Sequence, residues 1–171
     1  MKRILQLLFI ISLFMQLCPA QKVKNAEEYR AVCDSIVPRI KHAAKDSIHF
    51  KGRPFSEFAK HLKRCNAEIQ LVILGHFDRK MYPENLYAIA LRFTTDENDE
   101  FIILNHMTNP YMIIWFEGSK PYDEALHLFK KFGGVFTKEV EEFYSDVIIK
   151  SIDTFIPKDI YQPHVKEEMK K

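Results

Sequence analysis

The chain has 171 residues, of which 47% are hydrophobic and only 5 are glycine, so it can build a folded core and is not disordered. Its formal charge of +2 falls to about zero if Lys2 and Arg3 are removed. A near-neutral surface argues against nucleic acid or an anionic membrane as the main partner, because both are bound through excess positive charge.

The first twenty residues have the order of a secretory signal peptide. Lys2 and Arg3 precede an apolar run over residues 4–17, and Cys18-Pro19-Ala20 supplies small residues before Gln21. The run is shorter than the roughly 20 residues that a membrane-spanning helix needs. We therefore expect residues 1–20 to be cleaved and the chain to be exported to the periplasm or outside the cell. Lipid attachment at Cys18 is disfavoured, because Leu17 stands where that route uses a small residue.

Two short helices are predicted next. Asn25 followed by Glu28 is typical of a capping box, and a helical stripe continues at Tyr29, Cys33, Ile36 and Ile40. Pro38 lacks a backbone donor, which predicts a kink or break near Val37. After Gly52-Arg53-Pro54, a second amphipathic helix is predicted over residues 55–65.

Cys33 and Cys65 are the two cysteines that remain after the signal peptide, and both fall on apolar helix faces. Export places them in an oxidising compartment, so we expect a Cys33–Cys65 disulfide that stabilises the fold by about 3–4 kcal/mol. Two buried thiols are the alternative interpretation. A catalytic thiol is disfavoured, since no odd cysteine is left over.

The hydrophobic period then changes to that of extended chain. Four apolar segments rich in β-branched and aromatic residues follow: Ile69–Phe77, Leu86–Thr94, Glu100–His106 and Tyr111–Glu117. Their connections are short and contain turn residues, which permits only antiparallel neighbours and predicts a meander. Residues 101–104 and 112–116 are apolar on both faces, which predicts central strands.

Two further helices are predicted after the strands. Ser119 and Pro121 mark the start of the first, and Gly133-Gly134 mark its end. The second begins near Thr137 and keeps helical apolar spacing as far as Ile152. Residues 157–171 are predicted to be a loosely ordered charged tail, which leaves 21–156 as one domain.

These elements predict an α+β domain in which a four-stranded antiparallel β-meander is flanked by two N-terminal and two C-terminal helices. A helix before a curved antiparallel sheet is an order of elements that resembles the cystatin-like and nuclear-transport-factor-like folds. No sequence motif accompanies this resemblance, so it implies no family.

Catalytic signatures are absent from the sequence. It contains no G-x-S-x-G elbow, no P-loop and no H-E-x-x-H motif. The acidic run 96–100 lacks the glycine and glutamate positions of a calcium loop and is interpreted as a hairpin turn. His42 and His61, among several lysines and arginines, are interpreted as parts of solvated helix faces. The sequence therefore predicts no cofactor and no metal.

Four residues are candidates for binding a ligand or partner: His76, Arg92, His106 and Trp115. They fall within or at the ends of the predicted strands, and a favourable register would bring them together at one end of the sheet. Trp115 is the strongest candidate for a partner surface, because tryptophan is enriched in the energetic centres of interfaces.

A small, near-neutral exported domain without catalytic signatures favours a non-enzymatic binding protein whose partner is another protein. A homodimer through the sheet face is one such arrangement. The alternative is a small-ligand carrier or small enzyme with a pocket on the sheet face lined by His76, Arg92 and His106. Convergence of those three in a deep pocket would favour the alternative, and a flat exposed apolar face would favour the first hypothesis.

Overall fold

The computed structural model describes residues 23–75 and 84–160. The predicted signal peptide lies outside these residues. The described elements are, in chain order, α1 (Ala26–Lys45), a 3-10 turn (Ser47–Phe50), α2 (Phe55–Arg64), β1 (Leu71–Leu74), β2 (Asn85–Arg92), α3 (Asp96–Leu104), β3 (Tyr111–Pro121), α4 (Tyr122–Phe132), α5 (Lys138–Tyr144) and β4 (Ile149–Phe155).

The four strands form one antiparallel sheet in the order β1-β2-β3-β4. The predicted α+β class with a four-stranded antiparallel sheet is therefore confirmed. The segment at residues 134–136 runs along β1, where Val72 N donates to Gly134 O over 2.8 Å. Gly52 N donates to Ile149 O over 2.8 Å at the start of β4. Both outer strands thus have part of their edge covered by backbone hydrogen bonds.

Two elements differ from the prediction. Residues 100–104, predicted as part of the third strand, belong to α3, and the fourth strand of the sheet is β4. Residues 96–99, the first part of the acidic run that was interpreted as a hairpin turn, instead begin α3. Ile103 and Leu104 are 67% and 69% exposed, whereas in a central strand both side chains would be buried.

The segment that forms β4 was predicted as the end of the last helix. In the structure that helix ends at Tyr144, and the strand begins at Ile149. The register shifts between Trp115 and Phe116, and Ile149 and Ile152 both pack on the core although they are three residues apart. A bulge therefore places apolar residues three positions apart on one face of this strand, a spacing that is otherwise typical of a helix.

The first helix begins as predicted and continues past its proline. Asn25 Oδ1 accepts from Glu28 N over 2.9 Å, and Lys24 N donates to Glu28 Oε2 over 2.7 Å, which completes the N-terminal cap. α1 remains helical through Pro38, so the chain does not break near Val37. Packing of the apolar face of α1 against the core outweighs the hydrogen bond that proline removes.

The apolar interior is divided into two clusters. The large cluster takes buried side chains from every described helix and strand except α3, and its helices cover the sheet face that carries Met112, Ile114 and Phe116. The small cluster joins the N-terminal half of α1 to α3; its buried members are Val23, Tyr29, Cys33, Ile102, Met107 and Ile160.

Ile160 shows that packed chain continues beyond the predicted domain end at residue 156. Its side chain is 5% exposed, and its carbonyl accepts from Thr108 N over 2.7 Å. The first residues of the predicted loose tail, 157–160, are therefore tied to the small cluster. The rest of that tail lies outside the described residues.

Candidate functional site

The structure describes three of the four predicted binding residues, Arg92, His106 and Trp115. Arg92 and Trp115 lie on the same face of the sheet. Arg92 pairs with Tyr111, and Trp115 is four residues after Tyr111 in β3, an even spacing that returns to the same face. His106 is exposed in a left-handed turn after α3, with φ of 50°. His76 lies outside the described residues. Neither Arg92 nor His106 lines the groove described below.

The face that carries Trp115, called here the outer face, points away from the large cluster. Trp115 Nε1 donates to Asp153 Oδ2 over 2.7 Å, and the rings of Tyr111 and Phe155 stack with centroids 4.7 Å apart. Ala88 and Ile113 at the centre of the face are buried, whereas Phe155 on β4 is 44% exposed. The outer face is therefore not a bare flat patch, and Trp115 ties β3 to β4.

Cys33 and Cys65 are both free thiols, so the expected disulfide is not present. Cys33 is buried in the small cluster, and Cys65 packs at the edge of the large one. Helical spacing correctly predicted that both lie on apolar faces. It could not show that the two faces belong to different clusters. Burial raises the pKa of both thiols, which disfavours the reactive thiolate.

Cys65 lies next to a histidine that the sequence interpretation assigned to a solvated surface. Cys65 Sγ is 3.7 Å from His61 Nε2, and the same nitrogen is 3.7 Å from Asp46 Oδ2. The His61 ring packs against Phe50 and Phe58, with centroids 5.0 and 6.3 Å away, and the side chain is only 12% exposed. The solvated interpretation of His61 is therefore wrong.

A groove of about 570 Å³ opens between α2, the α2–β1 connection and the start of α5. This volume lies within the range of about 300–1,000 Å³ that small-ligand sites occupy. Its residues are spread over three segments, so no local pattern in the sequence indicated it: Ala59, Lys63, Ala67, Glu68, Ile69, Phe136, Thr137, Lys138 and Glu141.

The groove has an apolar floor. Ala59 and Ala67 are 6% and 2% exposed, and the partly buried side chains of Ile69 and Phe136 pack on the same cluster. Alanines in the floor leave open volume that larger side chains would fill. The floor therefore suits an apolar group in the occupant.

Charged side chains of both signs surround this floor. Lys63 and Glu68 are exposed, and Glu141 is half-buried. Among residues 23–75 and 84–160, these three side chains take part in no ion pair. The fourth, Lys138, lies 3.5 Å from Glu142 in an exposed pair, which contributes little stability and exchanges easily.

Backbone hydrogen bonds hold the walls of the groove in place. Ala67 N donates to Leu62 O over 2.9 Å at the end of α2, and Phe136 N donates to Gln70 O over 2.9 Å beside β1. Thr137 caps α5 by accepting from Val140 N over 3.4 Å. The groove is thus part of the folded framework.

Comparison of the chain with protein-family models, with curated proteins and with solved structures finds no match. In the described part of the chain, no helix has the length and apolar character to cross a membrane. The described residues also contain no group of three or more His, Cys, Asp or Glu side chains placed to hold a metal ion.

Proposed function

We propose that the chain is an exported, non-enzymatic binding protein that holds a short extended segment of a partner protein in the groove. The observation that carries this proposal is the groove of about 570 Å³, with an apolar floor and charged side chains of both signs around it. Export is proposed from the signal-peptide pattern of residues 1–20.

The charges of the groove define the chemistry of its occupant. Glu68 and Glu141 suit a basic side chain, and the Phe136 ring adds an aromatic surface against which a cation packs well. Lys63 suits an acidic side chain. The occupant we propose therefore carries one basic and one acidic residue around an apolar residue that contacts the floor.

The lining residues favour binding over catalysis. None of them is a histidine or cysteine, the residues that most often transfer protons or attack substrates near neutral pH. The Thr137 hydroxyl already caps α5. The alternative hypothesis, a sheet-face pocket lined by His76, Arg92 and His106, stays a prediction, because His76 lies outside the described residues.

Selection from a displayed library of random extended peptides tests the occupant. Peptides that bind the wild-type protein should share a basic–apolar–acidic composition. Lys63→Gln and Glu141→Gln should each weaken their binding by about tenfold, the effect of losing roughly 1.4 kcal/mol. Lys60→Gln and Glu27→Gln are matched controls that change exposed residues outside the groove and should leave binding unchanged.

Two outcomes contradict the proposed site: no peptides of this composition are enriched, or their binding is equally sensitive to the control substitutions. Export is tested separately by fusing residues 1–25 to a reporter enzyme that is active only outside the cytoplasm. We expect activity with the native segment and its loss when Leu7 and Leu8 are both changed to Arg. Equal activity with and without the substitutions would rule out the signal-peptide interpretation.

A further inference from the structure

His61, Cys65 and Asp46 do not line the groove, and their donor atoms are of the kinds that zinc binds. His61 and Cys65 are one helical turn apart, at i and i+4, so their side chains lie on the same side of α2. Asp46 follows the last residue of α1. Thiolate sulfur, imidazole nitrogen and carboxylate oxygen are all ordinary zinc ligands.

The distances fit two donors to one ion. Zinc bonds measure about 2.3 Å to sulfur and about 2.0 Å to nitrogen, so a donor separation of 3.7 Å corresponds to an angle of about 120° at the metal, near tetrahedral. The rings of Phe50 and Phe58 hold the imidazole, so Nε2 is already directed towards the thiol and the Asp46 carboxylate. Asp46 is half exposed, which leaves a route from solvent.

We propose that His61 Nε2 and Cys65 Sγ together bind one zinc-class divalent cation, with solvent in the other coordination positions. The Asp46 carboxylate lies beside the cation and offsets part of its charge. Binding replaces the thiol proton with the metal, so one proton is released for each ion bound.

Titration of the reduced, purified protein with Co²⁺ tests the site through the thiolate-to-metal absorption band. We expect one ion per chain, competition by Zn²⁺ and none by Mg²⁺, which prefers oxygen ligands. Cys65→Ser and His61→Gln should remove the band. Cys33→Ala and His42→Gln are the matched controls and should retain it.

A second measurement needs no variant. Zn²⁺ should slow alkylation of Cys65 in the wild-type protein at least about tenfold, the expected result if the ion occupies the sulfur. Absence of the cobalt band in the wild type, unchanged alkylation with Zn²⁺, or a band that survives His61→Gln would each overturn the proposal. The first two results would mean that the thiol and imidazole contact each other only through a weak hydrogen bond.

Discussion

The large and small apolar clusters are held together by different means. The large cluster layers helices on one sheet face and consists of apolar side chains, among them Phe58, Ile89 and Ile114, which are fully buried. The small cluster is supported by hydrogen bonds between distant parts of the chain. Val23 N donates to Asn98 Oδ1 over 2.8 Å, and Tyr29 Oη donates to Thr108 O over 2.5 Å.

This difference separates two sources of stability. Apolar burial tolerates small shifts, because it depends on area rather than direction. A hydrogen bond in a buried place depends on geometry, and loss of one partner leaves the other unsatisfied. The small cluster fixes the position of α3 and of both ends of the described chain, whereas the large cluster supplies most of the folding free energy.

The largest expected effect is in the large cluster. Phe58→Ala removes a fully buried ring, and we expect the free energy of unfolding to fall by about 3–5 kcal/mol in denaturant titrations. Ile102→Ala in the small cluster should cost less, about 2 kcal/mol, because the cavity lies in a smaller cluster that can collapse. An equal or larger loss for Ile102→Ala would contradict this division of the core.

Gly134→Ala tests a close approach of backbone in the large cluster. Gly134 has φ of 81°, and a Cβ there would lie 2.8 Å from Phe129 and 3.2 Å from Val72 O. We expect a loss of about 2–3 kcal/mol from left-handed strain together with the clash. Gly133→Ala is the control, since its φ is also positive but the space is open, and it should cost about 1 kcal/mol. Equal decreases in melting temperature for the two variants would contradict the predicted clash at Gly134.

Asn98→Ala tests the polar support of the small cluster. Asn98 is 4% exposed, and its loss leaves the Val23 amide without its acceptor, at a cost of about 1–3 kcal/mol. Hydrogen exchange should accelerate at Val23 and in α1 while β2 and β3 remain protected. Glu97→Ala, an exposed neighbour in α3, should leave exchange unchanged. Uniformly faster exchange across the sheet would show that the two clusters unfold as one.

The smallest effect concerns alkaline pH. Burial raises the pKa of the Cys33 thiol above its ordinary value of 9.0, so the unfolded chain loses this proton first as pH rises. The contribution of Cys33 to stability is therefore complete below pH 9.0 and declines as pH rises above it. Cys33→Ala should flatten the dependence of the melting temperature on pH in this range. If the slope of melting temperature against pH is unchanged in Cys33→Ala, other titrating groups cause the pH dependence.

Structural features that depend on residues close together in the sequence were predicted correctly. The cap at Asn25, the apolar face of α2, the end of α4 at Gly133 and the central strand β3 follow from local propensity and periodicity. The α+β class and a four-stranded antiparallel sheet were also predicted, but the prediction assigned the third strand to residues 100–106, whereas the sheet is completed by β4.

Tertiary structure decided the rest. Residues 101–104 are apolar enough for either a strand or a helix, and the packing of Phe101 and Ile102 with residues of α1 in the small cluster selects the helix. The register shift between Trp115 and Phe116 allows the last segment to form β4, although its apolar residues have the spacing of a helix. The separation of Cys33 from Cys65, the contact of His61 with Cys65 and the groove all depend on which faces meet. Periodicity identifies a buried face, but only three-dimensional packing determines its partner.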